Sequence, residues 1–167
     1  MFRFVVANLS SVEAIFELIN SAYRGDTSRK GWTFEADLVG GLRVDHAELE
    51  SIIKKPGEYF LLCFDEENLL GCAHVVEENQ GLYFGMISVR PELQNKKIGS
   101  ALLEEIEARA LGQGHHYLRL MVLHPRLELI SYYERKGFVL TGEGEDFPTQ
   151  YPAKVQGLRL LEMKKTL

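Results

Sequence analysis

Cysteine is scarce in this chain. Cys63 and Cys72 are the only two, and they lie inside apolar, strand-like runs. Their spacing fits neither C-x-x-C nor a zinc-ligand pattern, so both are expected to be buried, reduced, structural thiols. The five histidines (His46, His74, His115, His116 and His124) show no H-E-x-x-H or comparable spacing, and no metal is expected. No apolar run approaches the roughly 20 residues of a membrane helix. The N-terminus, Met1 to Ala7, turns polar too soon for a signal peptide. A cytoplasmic protein without a membrane partner is expected. Positive charge is not in excess: the net charge is −5, which argues against nucleic acid as a partner. Neither G-x-x-x-x-G-K-[ST] nor G-x-G-x-x-G occurs, which excludes a P-loop and a dinucleotide fingerprint.

What is present suits one domain over residues 1–167, with 46% hydrophobic and 26% charged residues. Phe2 to Ala7 can form a strand. Ser10 or Ser11 can cap a helix to about Arg24, with Val12, Ile15, Phe16, Ile19 and Ala22 on one face. Gly25 to Gly31 is a polar break, and Trp32 to Val44 has no clear periodicity. Asp45 caps a short helix over Ala47 to Lys54. Tyr59 to Asp65, Leu69 to Glu77 and Leu82 to Val89 are rich in aromatic and β-branched residues and are separated by short polar turns. They predict an antiparallel meander. A helix from about Gly99 to Leu111 and a strand over Tyr117 to Leu123 follow, a parallel crossover. The chain closes with a helix over Leu127 to Lys136, a strand over Phe138 to Gly142, a polar loop over Glu143 to Gly157 and a strand over Leu158 to Met163.

The most informative stretch is Gln94-Asn95-Lys96-Lys97-Ile98-Gly99-Ser100-Ala101-Leu102-Leu103. It carries two lysines and a glycine from a strand, stopped at Pro91, into an amphipathic helix. A helix start has backbone N–H groups without intrahelical partners and the positive end of the macrodipole, so it can hold phosphate. The stretch reads as a diphosphate cradle or as a structural turn.

The second informative stretch is Leu129-Ile130-Ser131-Tyr132-Tyr133-Glu134-Arg135-Lys136-Gly137-Phe138. Together, in this order and separated by one helix and one strand, the two resemble the GNAT superfamily of acyl-CoA-dependent N-acyltransferases. The first looks like that family's Q/R-x-x-G-x-G/A segment and the second like its Y-E-x-x-G-F helix end. The resemblance covers residues 59 to 142 well and the N-terminal part in outline. It implies an α/β (α+β) fold: a central mixed, mostly antiparallel sheet of about 6–7 strands, with a parallel pair splayed at the coenzyme site and about four helices.

It also implies a function: acetyl transfer from acetyl-CoA to a primary amine of a small molecule or peptide, by direct attack. Gln94, Asn95, Lys96, Lys97, Ile98, Gly99 and Ser100 would hold the coenzyme. The backbone of Ile87, Ser88 and Val89 would pair with its pantetheine arm, and His124 could contact it. Tyr133 corresponds to the family's general acid; a phenol with a pKa near 10 still owns its proton at neutral pH. Tyr132 is the rival at that helix end. For the base, Glu35, Glu77 and Glu78 stay open, Glu35 being placed to bind or deprotonate an ammonium. Tyr23, Glu35 and Arg43 would line the acceptor side, and Arg43 would suit an acidic group. The chain departs from the family pattern at Lys97, where the first glycine of the pattern would stand. If that position needs positive φ, lysine is strained there. A catalytically silent acyl-CoA sensor is the alternative reading, and monomer and homodimer both stay open.

Overall fold

The computed structural model describes residues 1–29, 31 and 35–167. Among these, β1 (Arg3–Val6), β2 (Glu58–Asp65), β3 (Asn68–Glu77), β4 (Gly81–Val89), β5 (Tyr117–Leu123), β6 (Val139–Asp146) and β7 (Arg159–Thr166) build one sheet. Its order is β1-β2-β3-β4-β5-β7-β6. β1 to β4 are antiparallel neighbours, as are β5, β7 and β6. The two antiparallel blocks join through one parallel pair, β4 with β5.

Helices cover both faces: α1 (Val12–Tyr23), α2 (Gly25–Ser28), α3 (His46–Lys54), α4 (Ile98–Gly112) and α5 (Leu127–Arg135). The alternation of β2 explains why. Leu61 and Cys63 point into a core with Leu102, Leu103, Ile106 and Ala110 of α4. Phe60 and Leu62 point the other way, onto Ile15, Leu18 and Ile19 of α1 and Leu49 and Ile52 of α3. Each such aliphatic side chain contributes roughly 1.5–3 kcal/mol on burial. Both cysteines are buried and free. Burial pushes the Cys63 thiol up to about 11 and the Cys72 thiol up to about 12, which leaves them inert.

The predicted elements are present, with differences at their ends. Ser11 stands at the N-cap of α1 but makes no side-chain cap bond to it. A one-turn 3₁₀ helix (Leu9–Ser11) precedes α1, and there the Asn8 side chain accepts from the Ser10 N–H while the Ser11 hydroxyl accepts from the Asn8 N–H. Part of the polar break at Gly25 to Gly31 winds into α2. β6 runs to Asp146, past the expected end at Gly142. Gly142 has φ +88 and sits within a register shift between Leu140 and Gly144, so the glycine forms a bulge instead of ending the strand. Trp32, Thr33 and Phe34, in the segment of unclear periodicity, lie outside the described residues.

Candidate active site

The site begins with a failure of pairing. β4 and β5 share register only from Gly81 to Tyr83, opposite Tyr117 to Arg119. β4 then runs on to Val89 and β5 to Leu123. The cause lies in β4. Cys72 pairs with Ser88 and His74 with Gly85, so two steps along β3 face three along β4. The extra residue is a bulge, and Met86 there has φ 46. A bulge bends its strand and re-aims the residues after it. The sequence gives no sign of it, since methionine is not a residue that favours positive φ.

Cavities open where the strands part. The larger, about 320 Å3, is lined by Ile87 and Val89 of β4, by Gln94, Asn95, Lys97, Ile98, Gly99 and Ser100, and by Leu129, Tyr132, Tyr133 and Arg135 of α5. At its floor α4 begins. Lys97 is the N-cap, with φ 65 and ψ 10 and no side-chain cap bond. Asn95 also has positive φ, 69. The position that carries glycine in the family pattern therefore does require the left-handed region, and lysine occupies it. The first intrahelical bond of the turn runs from the Ala101 N–H to the Lys97 carbonyl, so the N–H groups of the preceding residues point out of the helix. No acidic residue stands in the first turn. A Cβ on Gly99 would meet only Tyr132 and Val89, both at 3.8 Å. These are ordinary contact distances, so the fold tolerates a Cβ there, while any larger side chain would enter the cavity that Gly99 lines. Exposed helix-start N–H groups, Lys97, Arg135 and an apolar wall of Ile87, Val89 and Leu129 suit a diphosphate with an apolar arm.

The smaller cavity, about 210 Å3, lies between β4 and β5. Arg24, Glu35 and Arg43 line it, with Tyr83 to Ile87, Leu120 to Leu123, and Glu145, Phe147 and Tyr151 from the C-terminal segment. The C-terminal segment is held to the Glu35 to Arg43 stretch by the Val39–Ala153 bridge and the Gly40 N–H to Pro152 carbonyl bond.

Tyr23, Ile87, Arg126, Leu129 and Tyr133 line both cavities. Tyr133 is 3% exposed and packs edge-on against Phe138, with ring centres 5.7 Å apart. Burial holds its phenol well above the usual tyrosine range. Its hydroxyl makes no hydrogen bond among the described residues. Tyr132, beside it, shares a hydrogen bond of 3.2 Å with the Ser100 hydroxyl. The Tyr23 hydroxyl donates to the Ile87 carbonyl at 3.0 Å. Burial pushes its pKa up to about 12, against the opposing pull of Arg126.

The expected site residues fall in three places. Ile87, Val89, Gln94, Asn95, Lys97, Ile98, Gly99, Ser100, Tyr23 and Tyr133 converge on the larger cavity. Glu35 and Arg43, with Tyr23, line the smaller. Ser88, Lys96 and His124 line neither. Ser88 is buried on the other face of β4, with its hydroxyl on the Met86 carbonyl at 2.9 Å; Lys96 is exposed. The His124 Nδ1 accepts from the Arg159 N–H at 3.0 Å. Among the carboxylates named for the base, Glu77 is exposed and Glu78 is bound to Tyr117 and Arg119 at the paired end of the sheet. Both are remote from the cavities.

Glu35 is 5% exposed, with one oxygen on Arg24 at 2.5 Å and the other on Arg126 at 3.5 Å. Arg24 and Arg126 are each 7% exposed. Both carboxylate oxygens are thus engaged by buried guanidiniums. Arg126 and Arg135 are site residues that sequence reasoning missed. Their signal was proximity to Tyr133 on a helix already singled out: Arg126 precedes α5 and Arg135 ends it.

Two cavities with a common wall are an arrangement that suits a two-substrate transfer. Residues 12–138 match the model of the Acetyltransferase (GNAT) family. The chain belongs to that family: it is an acetyltransferase, and acetyl-CoA is its cosubstrate. Solved structures with the same fold include the ribosomal-protein-S18-alanine N-acetyltransferase of Escherichia coli, with TM-score 0.73 and 15% identity over 99% of this chain and 94% of that one. The spermidine/spermine N-acetyltransferase of Vibrio cholerae has TM-score 0.69 and 18% identity over 99% and 92%. A Bacillus anthracis protein assigned as a streptothricin acetyltransferase was solved in complex with acetyl coenzyme A; it has TM-score 0.60 and 14% identity over 71% and 68%. No curated protein matches the chain significantly in sequence. Among the described residues, no helix is long and apolar enough to cross a membrane.

Proposed function

We propose that the chain acetylates a primary amine of a small molecule or peptide, with Tyr133 as general acid. The observation that carries this reading is the shared wall. Tyr133 lines both cavities, and its hydroxyl proton is committed to no partner among the described residues. Acetyl-CoA, when bound, supplies an activated thioester whose cleavage by an amine leaves a thiolate. Gln94 to Ser100 would hold the diphosphate on the α4 start, and Ile87 and Val89 would flank the apolar arm. Tyr133 would give its proton to the sulfur, and the surplus proton of the attacking nitrogen would leave to water. The desolvation that raises Tyr133 also raises a thiol formed in the same cavity, so donor and acceptor stay matched.

Glu35 is assigned a positioning role. Both its oxygens are engaged by guanidiniums, so it fixes the acceptor wall. The attacking amine enters neutral. The test is Tyr133→Phe. It removes the proton and keeps the ring, so kcat should fall about a hundredfold, with acetyl-CoA affinity nearly unchanged. Unchanged kcat would remove Tyr133 from the mechanism.

A further inference from the structure

Among the described residues, three arginines and two carboxylates line the smaller cavity. Arg24 and Arg126 flank Glu35, and the half-exposed Glu128 stands 3.8 Å from Arg126. Arg43 is the third arginine. It forms no ion pair among the described residues, although it lies near enough to Glu48 to affect that carboxyl. It lies over an aromatic ring: its guanidinium carbon is 5.6 Å from the Tyr23 ring centre, and that of Arg126 is 5.9 Å from the same ring. Glu145, the other carboxylate of the wall, stands on the exposed strand β6.

Such a wall repels a polycation and attracts an anion. It also favours the neutral form of an amine brought close to it, the form that attacks a thioester. Binding must then come from another part of the acceptor. A cavity of about 210 Å3 is below the usual size for drug-like ligands, so the acceptor is small.

We infer that the acceptor is a small amine that also carries an acidic group, a carboxylate or a phosphate, received by Arg43 at the Tyr23 wall. Polyamines and other polycationic amines are poor acceptors. This rests on the N-acetyltransferase reading above, and deepens it. A planar guanidinium over an aromatic ring is pre-organised for paired hydrogen bonds to anionic oxygens. Tyr23 thus both orients Arg43 and, through its bond to the Ile87 carbonyl, ties the acid-binding wall to the bulged strand.

The test compares matched amines by thiol release at saturating acetyl-CoA. Amino acids are paired with their carboxamides and their decarboxylated amines; 2-aminoethyl phosphate is paired with ethanolamine; spermidine stands for the polycations. In at least one pair the acidic member should exceed its neutral partner in kcat/KM by roughly tenfold or more, the effect of a charged hydrogen bond. Which pair responds separates carboxylate from phosphate. Arg43→Gln should erase that preference, and Arg43→Lys should restore part of it. Turnover of neutral amines or spermidine at rates equal to or above the acids overturns the inference and leaves the N-acetyltransferase reading standing. Turnover of no amine, acidic, neutral or cationic, overturns both.

Discussion

The two sides of the site are built from different materials. In the larger cavity, the proposed coenzyme side, the work falls to backbone: a helix start, two left-handed residues at Asn95 and Lys97, and a strand freed by the bulge at Met86. In the smaller, the proposed acceptor side, it falls to side chains: Glu35 between Arg24 and Arg126, and Arg43 over the Tyr23 ring. Backbone geometry ties residue types to a fixed spacing, because the loop must enter the helix at one angle. Side-chain ion pairs can be assembled from distant positions and leave no spacing behind. The first side is accordingly readable as a motif, and the second is not.

The comparison predicts that damage to one side should spare the other. The largest effect is expected from Gly99→Asp. It places bulk and negative charge in the larger cavity at the helix start, and calorimetry should detect no acetyl-CoA binding. Undiminished affinity would break the coenzyme half of the comparison. Glu35→Ala comes next. It leaves Arg24 and Arg126 buried with their shared countercharge gone, at a cost of about 3 kcal/mol. The Tm should fall on the order of 10 °C, while acetyl-CoA affinity of the folded protein is largely kept. An unchanged Tm would mean that the triad does not hold the acceptor wall.

Lys97→Gly tests the coenzyme side more finely. It relieves a left-handed non-glycine residue, worth about 1 kcal/mol, but adds freedom to the unfolded chain, which offsets about half. A Tm rise of roughly 1–2 °C is expected. Acetyl-CoA affinity should drop roughly two- to fivefold with the loss of one exposed charge. Affinity that rises with stability would show that the lysine is only strain.

The smallest effect concerns pH. Tyr133 is raised above 10.0 by burial, and a raised acid keeps its proton to higher pH. The rate should climb as the amine deprotonates and show no falling limb attributable to the phenol below pH 10. A descending limb between pH 7 and pH 9 would assign the proton to another group.

Most of the fold was legible because burial is periodic. Of the α1 residues expected on one face, Val12, Ile15, Ile19 and Ala22 are buried, and Phe16 packs against the same core. The meander was legible from its aromatic runs and short turns. The loop and Tyr133 were legible because the family resemblance fixes their order. Three features were hidden for physical reasons. The bulge at Met86 depends on the register between two strands and not on either strand alone. The ion pairs of Glu35 were hidden because its partners lie 11 and 91 positions away. Arg126 sits outside the Y-E-x-x-G-F stretch, and only the splay of β4 from β5 brings it to both cavities.

The most direct test is a calorimetric titration of the wild-type protein with acetyl-CoA, with free CoA and ATP as controls. One saturable acetyl-CoA site per chain, with ATP much weaker, is the result expected from a helix-start cradle joined to an apolar arm channel. No binding of acetyl-CoA, or equal binding of ATP, would contradict the account at its base, because the larger cavity would then hold a phosphate and nothing of the acyl carrier.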